Sequence, residues 1–142
     1  MKTNSNYDRK QAFFYLIFLL ISSTSLFIYS FKGFISFYKN VITKTEIATF
    51  DQVYIYILGA SLILFECLRI LAISIISNNF VTKRQFKKSS NIFLALSITT
   101  FLSLYPATIL TDVFAKSNSY RLNKDESTYN ILLEKRSYKI SK

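Results

Sequence analysis

Hydrophobic residues along this chain come in three long blocks separated by polar stretches. Ala12 to Phe31 reads AFFYLIFLLISSTSLFIYSF, Val53 to Ser77 reads VYIYILGASLILFECLRILAISIIS, and Asn91 to Phe114 reads NIFLALSITTFLSLYPATILTDVF. Each block has the roughly twenty residues that a helix needs to cross a hydrocarbon core. None shows the one-sided periodicity of a soluble amphipathic helix. The pattern predicts an all-α membrane protein with three transmembrane helices at about 12–31, 53–77 and 91–114, in one membrane domain over 1–142.

The polar stretches define the rest. Lys32 to Gln52 carries Phe34, Phe37, Tyr38, Val41 and Ile42 at helical spacing with lysines between them. That spacing predicts a short helix lying in the headgroup region, its aromatic face toward the lipid. Asn78 to Ser90 holds Lys83, Arg84, Lys87 and Lys88 and no acid. A short basic connection marks the cytoplasmic side and contacts anionic lipid. This predicts an N-terminus inside and a C-terminus outside. Residues 115–142 form an extramembrane tail of mixed charge with too few apolar residues for its own core.

Composition narrows the function classes. The net charge of +10 is divided among short flanks outside the apolar blocks. That distribution argues for membrane orientation and against nucleic-acid binding, which needs a concentrated basic surface. There is no histidine, and Cys67 is the single cysteine. No phosphate-binding loop, metal-ligand spacing or nucleophile elbow is present. The chain is expected to be no enzyme and to use no metal or other cofactor.

Within the spans the polar residues are informative. Glu66 and Arg69 lie close to the middle of the second block, where an ionisable group costs about 2.5–3.5 kcal/mol on the lenient insertion scale. At i and i+3 they share a helix face and partly neutralise each other. Gly59 falls on the same line and permits close approach of another backbone. The pair is open to three readings: a structural salt bridge that fixes register, a recognition feature for another membrane protein, or a proton- or cation-coupled transport site formed by self-association.

Ser22, Ser23, Thr24 and Ser25 either bond back to their own helix or cross to a neighbour. Ser97, Thr100, Ser103, Ala107 and Thr111 form a small, hydroxyl-rich stripe suited to helix contact. Pro106 is expected to kink the third helix. Asp112 sits near the far interface, either meeting a cation outside the membrane or reaching water.

The basic N-terminus, the three spans, Asn79-Phe80 leading into Lys83-Arg84-Gln85-Phe86-Lys87-Lys88, and Pro106 late in the third span together resemble the three-helix immunity proteins of pore-forming colicins. Phe34 to Tyr38 (FISFY), with Pro106 and Asp112, also resembles a family of small enterobacterial inner-membrane proteins of unknown function. The resemblance implies a multi-pass protein of the bacterial inner membrane, whose partners are the bilayer and another membrane-inserted protein or a second copy of itself. In its most specific form it implies that the chain binds the channel-forming helices of a bacteriocin, with Glu66 and Arg69 as polar contacts that set specificity.

Overall fold

The computed structural model describes residues 9–77, 82–129 and 134–141. The N-terminal segment to Asp8, the Asn79-Phe80 pair and parts of the basic connection and tail lie outside those residues. Element order is α1 (Arg9–Ile42), β1 (Ile47–Asp51), α2 (Val53–Ser77), α3 (Lys83–Ser117), β2 (Tyr120–Tyr129) and β3 (Glu134–Ile140). All three helices are long and apolar enough to span a membrane. They are joined by a small antiparallel sheet of order β1-β3-β2. The architecture is therefore three helices plus a sheet, where the sequence pattern predicted helices alone.

Two helices outrun their apolar blocks. Helix α1 has 34 residues and continues to Ile42, well past Phe31. Nothing in Lys32 to Ile42 breaks a helix except Gly33, whose cost of about 1 kcal/mol a packed helix absorbs. Gly33 is needed where it is: a Cβ there would collide with the ring of Tyr54. The stripe expected to face lipid does so only in part: Ile42 is exposed, whereas Phe37 faces protein. Phe37 and Val41 are fully buried, and Phe37 packs on Phe50 and Tyr138 at ring-centroid distances of 5.5 and 5.7 Å.

Helix α3 has 35 residues and begins at Lys83, so most of the basic connection forms its first turns. Its start is fixed by a capping box in which the Thr82 hydroxyl accepts from the Gln85 amide and the Gln85 side chain accepts from the Thr82 amide. The helix runs on through Pro106 to Ser117. Around the proline the hydroxyls bond back along the helix: Ser103 to Thr100, Thr108 to Leu104 and Tyr105, Thr111 to Thr108.

The tail supplies most of the sheet. Strand β3 is central, pairing Ala48 with Tyr138 and Phe50 with Arg136 on one side, and Leu122 with Tyr138 on the other. Alternation then puts Ala48, Phe50, Tyr120, Leu122, Arg136, Tyr138 and Ile140 on one face. That face covers the end of the helix bundle where α1 stops, α2 starts and α3 stops. Ala48, Phe50, Tyr120 and Tyr138 form a core there with Phe37, Val41, Ile55 and Ala115. The bundle itself is a series: α2 packs on both α1 and α3, whereas α1 and α3 meet chiefly beside the sheet, where Tyr38 lies 4.8 Å from Phe114.

Candidate functional site

The charged residues of the spans fall into two clusters, one toward each end of the bundle. At the end away from the sheet, Arg69 donates from Nε to Glu66 Oε2 at 2.7 Å and from Nη2 to Glu66 Oε1 at 2.6 Å. This is the fork geometry that makes guanidinium–carboxylate pairs strong and directional. Arg69 Nη2 also donates to the Ser89 hydroxyl of α3 at 3.2 Å. The Glu66 side chain is 9% exposed and that of Arg69 45%. The pair thus couples two helices and opens on one side.

The α2–α3 register shows where the pair lies along the bundle. Gly59 meets Thr100, Tyr56 meets Phe101 and Arg69 meets Ser89. These are successive rungs of one antiparallel packing. Arg69 is about 24 Å along the axis from Val53 at 1.5 Å per residue, close to the thickness of a hydrocarbon core. Its partner Ser89 directly follows Lys88. The ion pair is therefore level with the basic first turns of α3.

Gly59 is buried against α3, and a Cβ there would collide with Thr100. Its surface serves packing within this chain. The hydroxyl of Thr100 bonds back to Leu96 and that of Ser23 to Leu19 and Leu20. A hydroxyl that does cross is Ser30, which donates to the Tyr54 carbonyl at 2.5 Å.

Beside the pair, Arg69, Ile70, Ile73, Gln85, Lys88 and Ser89 line a half-open cavity of about 230 Å³. Lys83, Arg84 and Lys87 lie outside its lining on the exposed turns of α3. The sequence reading named Lys88 and Arg69 separately. Gln85 and Ser89 become neighbours of Arg69 only through the α2–α3 register, which the sequence does not display.

At the sheet end a second polar cluster forms. Asp112 accepts from the Tyr138 hydroxyl at 2.5 Å and is ion-paired with Arg136. Arg136 Nε also donates to Glu134 at 2.7 Å. The two carboxylates hold Arg136 in its charged form more firmly than usual, outweighing the burial that opposes it. Burial, and then the hydrogen bond to Asp112, push the Tyr138 hydroxyl upward. Asp112 thus meets a cation from the tail.

Among the described residues no group of His, Cys, Asp and Glu has the arrangement to hold a metal ion. Cys67 is half-buried and free. Comparison with protein-family models, with curated proteins and with solved structures finds no match for this chain.

Proposed function

We propose that this chain is a multi-pass protein of the bacterial inner membrane, N-terminus inside, that works by binding another membrane-inserted protein and not by catalysis. The observation that carries this reading is the serial packing of the helices. Because α3 is held by α2 along one side only, Leu94, Ile98, Leu102, Tyr105 and Ile109 form a continuous exposed stripe at i, i+4 and i+3 spacing. A partner helix can lie on that stripe without displacing any contact of the fold. In lipid, such association depends on packing shape, because acyl chains are as apolar as leucine.

The most specific form of the proposal is immunity to a pore-forming bacteriocin, supported by the resemblance of the three spans and the basic connection to the colicin immunity type. Channel-forming helices inserting beside α3 would be held there before a pore opens. Glu66 pairs with Arg69 and Gly59 packs on Thr100 inside the fold, and we take the exposed α3 stripe as the recognition surface. The transport reading gains nothing from the geometry: both carboxylate oxygens of Glu66 are held by Arg69.

The test is protection of a sensitive bacterial strain. Cells producing the chain are challenged with a panel of pore-forming bacteriocins while membrane potential is followed. A photo-crosslinking residue at Leu102 or Tyr105 reports what touches the stripe. Protection that falls when Tyr105 and Leu102 are changed to Ala, at equal membrane levels, supports the reading. No protection, together with crosslinks to lipid only, overturns it.

A further inference from the structure

We propose that the cavity between the last turns of α2 and the first turns of α3 is a binding site for a phosphate monoanion, of the kind carried by an acidic phospholipid headgroup. It stands on the membrane-spanning reading alone and needs no protein partner. Three features of the lining agree.

The first is charge. Arg69 and Lys88 both line the cavity, and Glu66, which neutralises one of them, is not among its lining residues. The second is directed hydrogen bonding. Glu66 and Ser89 engage Arg69 through Nε and Nη2, which fixes the guanidinium plane and leaves the Nη1 edge for a further acceptor. A guanidinium held in place loses less freedom on binding an anion than a free one. Gln85, anchored by its part in the capping box, adds an amide at the rim.

The third feature is the apolar wall. Ile70 and Ile73 belong to the stretch of α2 that continues past the ion pair, level with the basic turns of α3. Apolar helix and basic helix thus stand side by side at one height. A free phosphate gains nothing from two isoleucines. A phosphodiester with its glycerol and upper acyl chain satisfies both walls at once. A volume of about 230 Å³ suits a headgroup, the chains remaining in the bilayer.

The experiment uses the full chain in nanodiscs of phosphatidylcholine with a minority of phosphatidylglycerol. Native mass spectrometry reads which lipid stays bound after release from the disc. The parent is expected to retain phosphatidylglycerol well above its share of the disc. Lys88→Gln should lower that preference roughly tenfold, the worth of one charge-assisted hydrogen bond. The double variant Lys83→Gln, Arg84→Gln removes twice the charge outside the cavity and should cost less. Both variants leave the Glu66–Arg69 pair intact, so the fold is not at stake.

Phosphate in neutral nanodiscs, followed by phosphorus NMR, is the second arm. Binding of inorganic phosphate that Lys88→Gln abolishes, without preference for phosphatidylglycerol, keeps the phosphate site and assigns it to a soluble ligand. A preference that falls with total charge removed, whichever lysine or arginine is changed, overturns the site. So does retention of neither ligand.

Discussion

Tyr138 of the central strand donates its hydroxyl to Asp112 near the end of α3 at 2.5 Å, so one carboxylate joins the sheet to the helix bundle. The same carboxylate pairs with Arg136, two residues along on the same face of β3. Replacing Asp112 by Asn leaves Arg136 dependent on Glu134 and weakens the Tyr138 bond. We expect a loss of about 1–3 kcal/mol, confined to the sheet. Hydrogen exchange checks it: the β3 amides lose protection while those of α2 keep theirs.

The raised Tyr138 hydroxyl makes the sheet sensitive to alkali. A group whose folded-state pKa is raised keeps its full stabilisation below its ordinary value, here 10.0, and loses it as pH climbs toward the raised one. Sheet stability should thus begin to fall above about pH 10. Other tyrosines also ionise there, so the comparison is with Tyr138→Phe. The variant starts less stable and declines less steeply. Equal slopes would show that burial and Asp112 do not hold the phenol neutral.

At Gly59 the prediction concerns two helices. Gly59→Ala puts a methyl into the space of Thr100, an overpacking that costs about 1–3 kcal/mol. Thr100→Ala removes the two nearest atoms. The double variant should therefore recover part of the loss, as read by unfolding in detergent micelles. Additive losses would place the strain elsewhere.

For Glu66 and Arg69 the single and double variants separate pairing from burial. Glu66→Leu strands the guanidinium of Arg69 with Ser89 as its remaining partner. Changing Arg69 to Met as well removes the mismatch. We expect the single variant to unfold at lower denaturant than the double, and the double to stay near the parent. A double variant worse than the single would give the pair a larger structural role than the fork bond alone explains.

Sidedness has a direct chemical test. In a Cys67→Ala background, cysteines at Thr49, Lys135 and Lys87 are treated with an impermeant thiol reagent on intact cells. Thr49 and Lys135 should react together, since β1 pairs with β3 in register. Lys87 should react only after permeabilisation. Reaction of all three from outside would contradict three spans.

The three spans were legible because membrane crossing is written in block length. The depth of the ion pair was not, because it depends on register: only the Gly59–Thr100 and Arg69–Ser89 contacts show that α3 begins its basic turns level with Arg69. The start of α3 is encoded in Thr82 and Gln85, whose spacing is a capping signature, but the run of cations behind them led to a start at Asn91 instead of Lys83. The sheet was hidden for two reasons. Strand β1 has five residues, too few for alternation to stand out. Between Asn123 and Thr128 strand β2 carries an irregular stretch, with Ser127 folded back onto Asn123 and bonded to the amide of Ser137. That insertion breaks the period-2 pattern in the sequence while closing the sheet in space.

Strand order has a consequence for how the protein is made. The middle strand of the sheet is synthesised after both of its neighbours. While β3 is still in the ribosome or the translocation channel, β1 has no hydrogen-bonding partner, although α1 and α2 on either side of it are already complete. The sheet end of the bundle stays open while all three helices are made and closes only when Lys135 to Lys139 arrive. For this protein, release of the tail and completion of the fold are the same event.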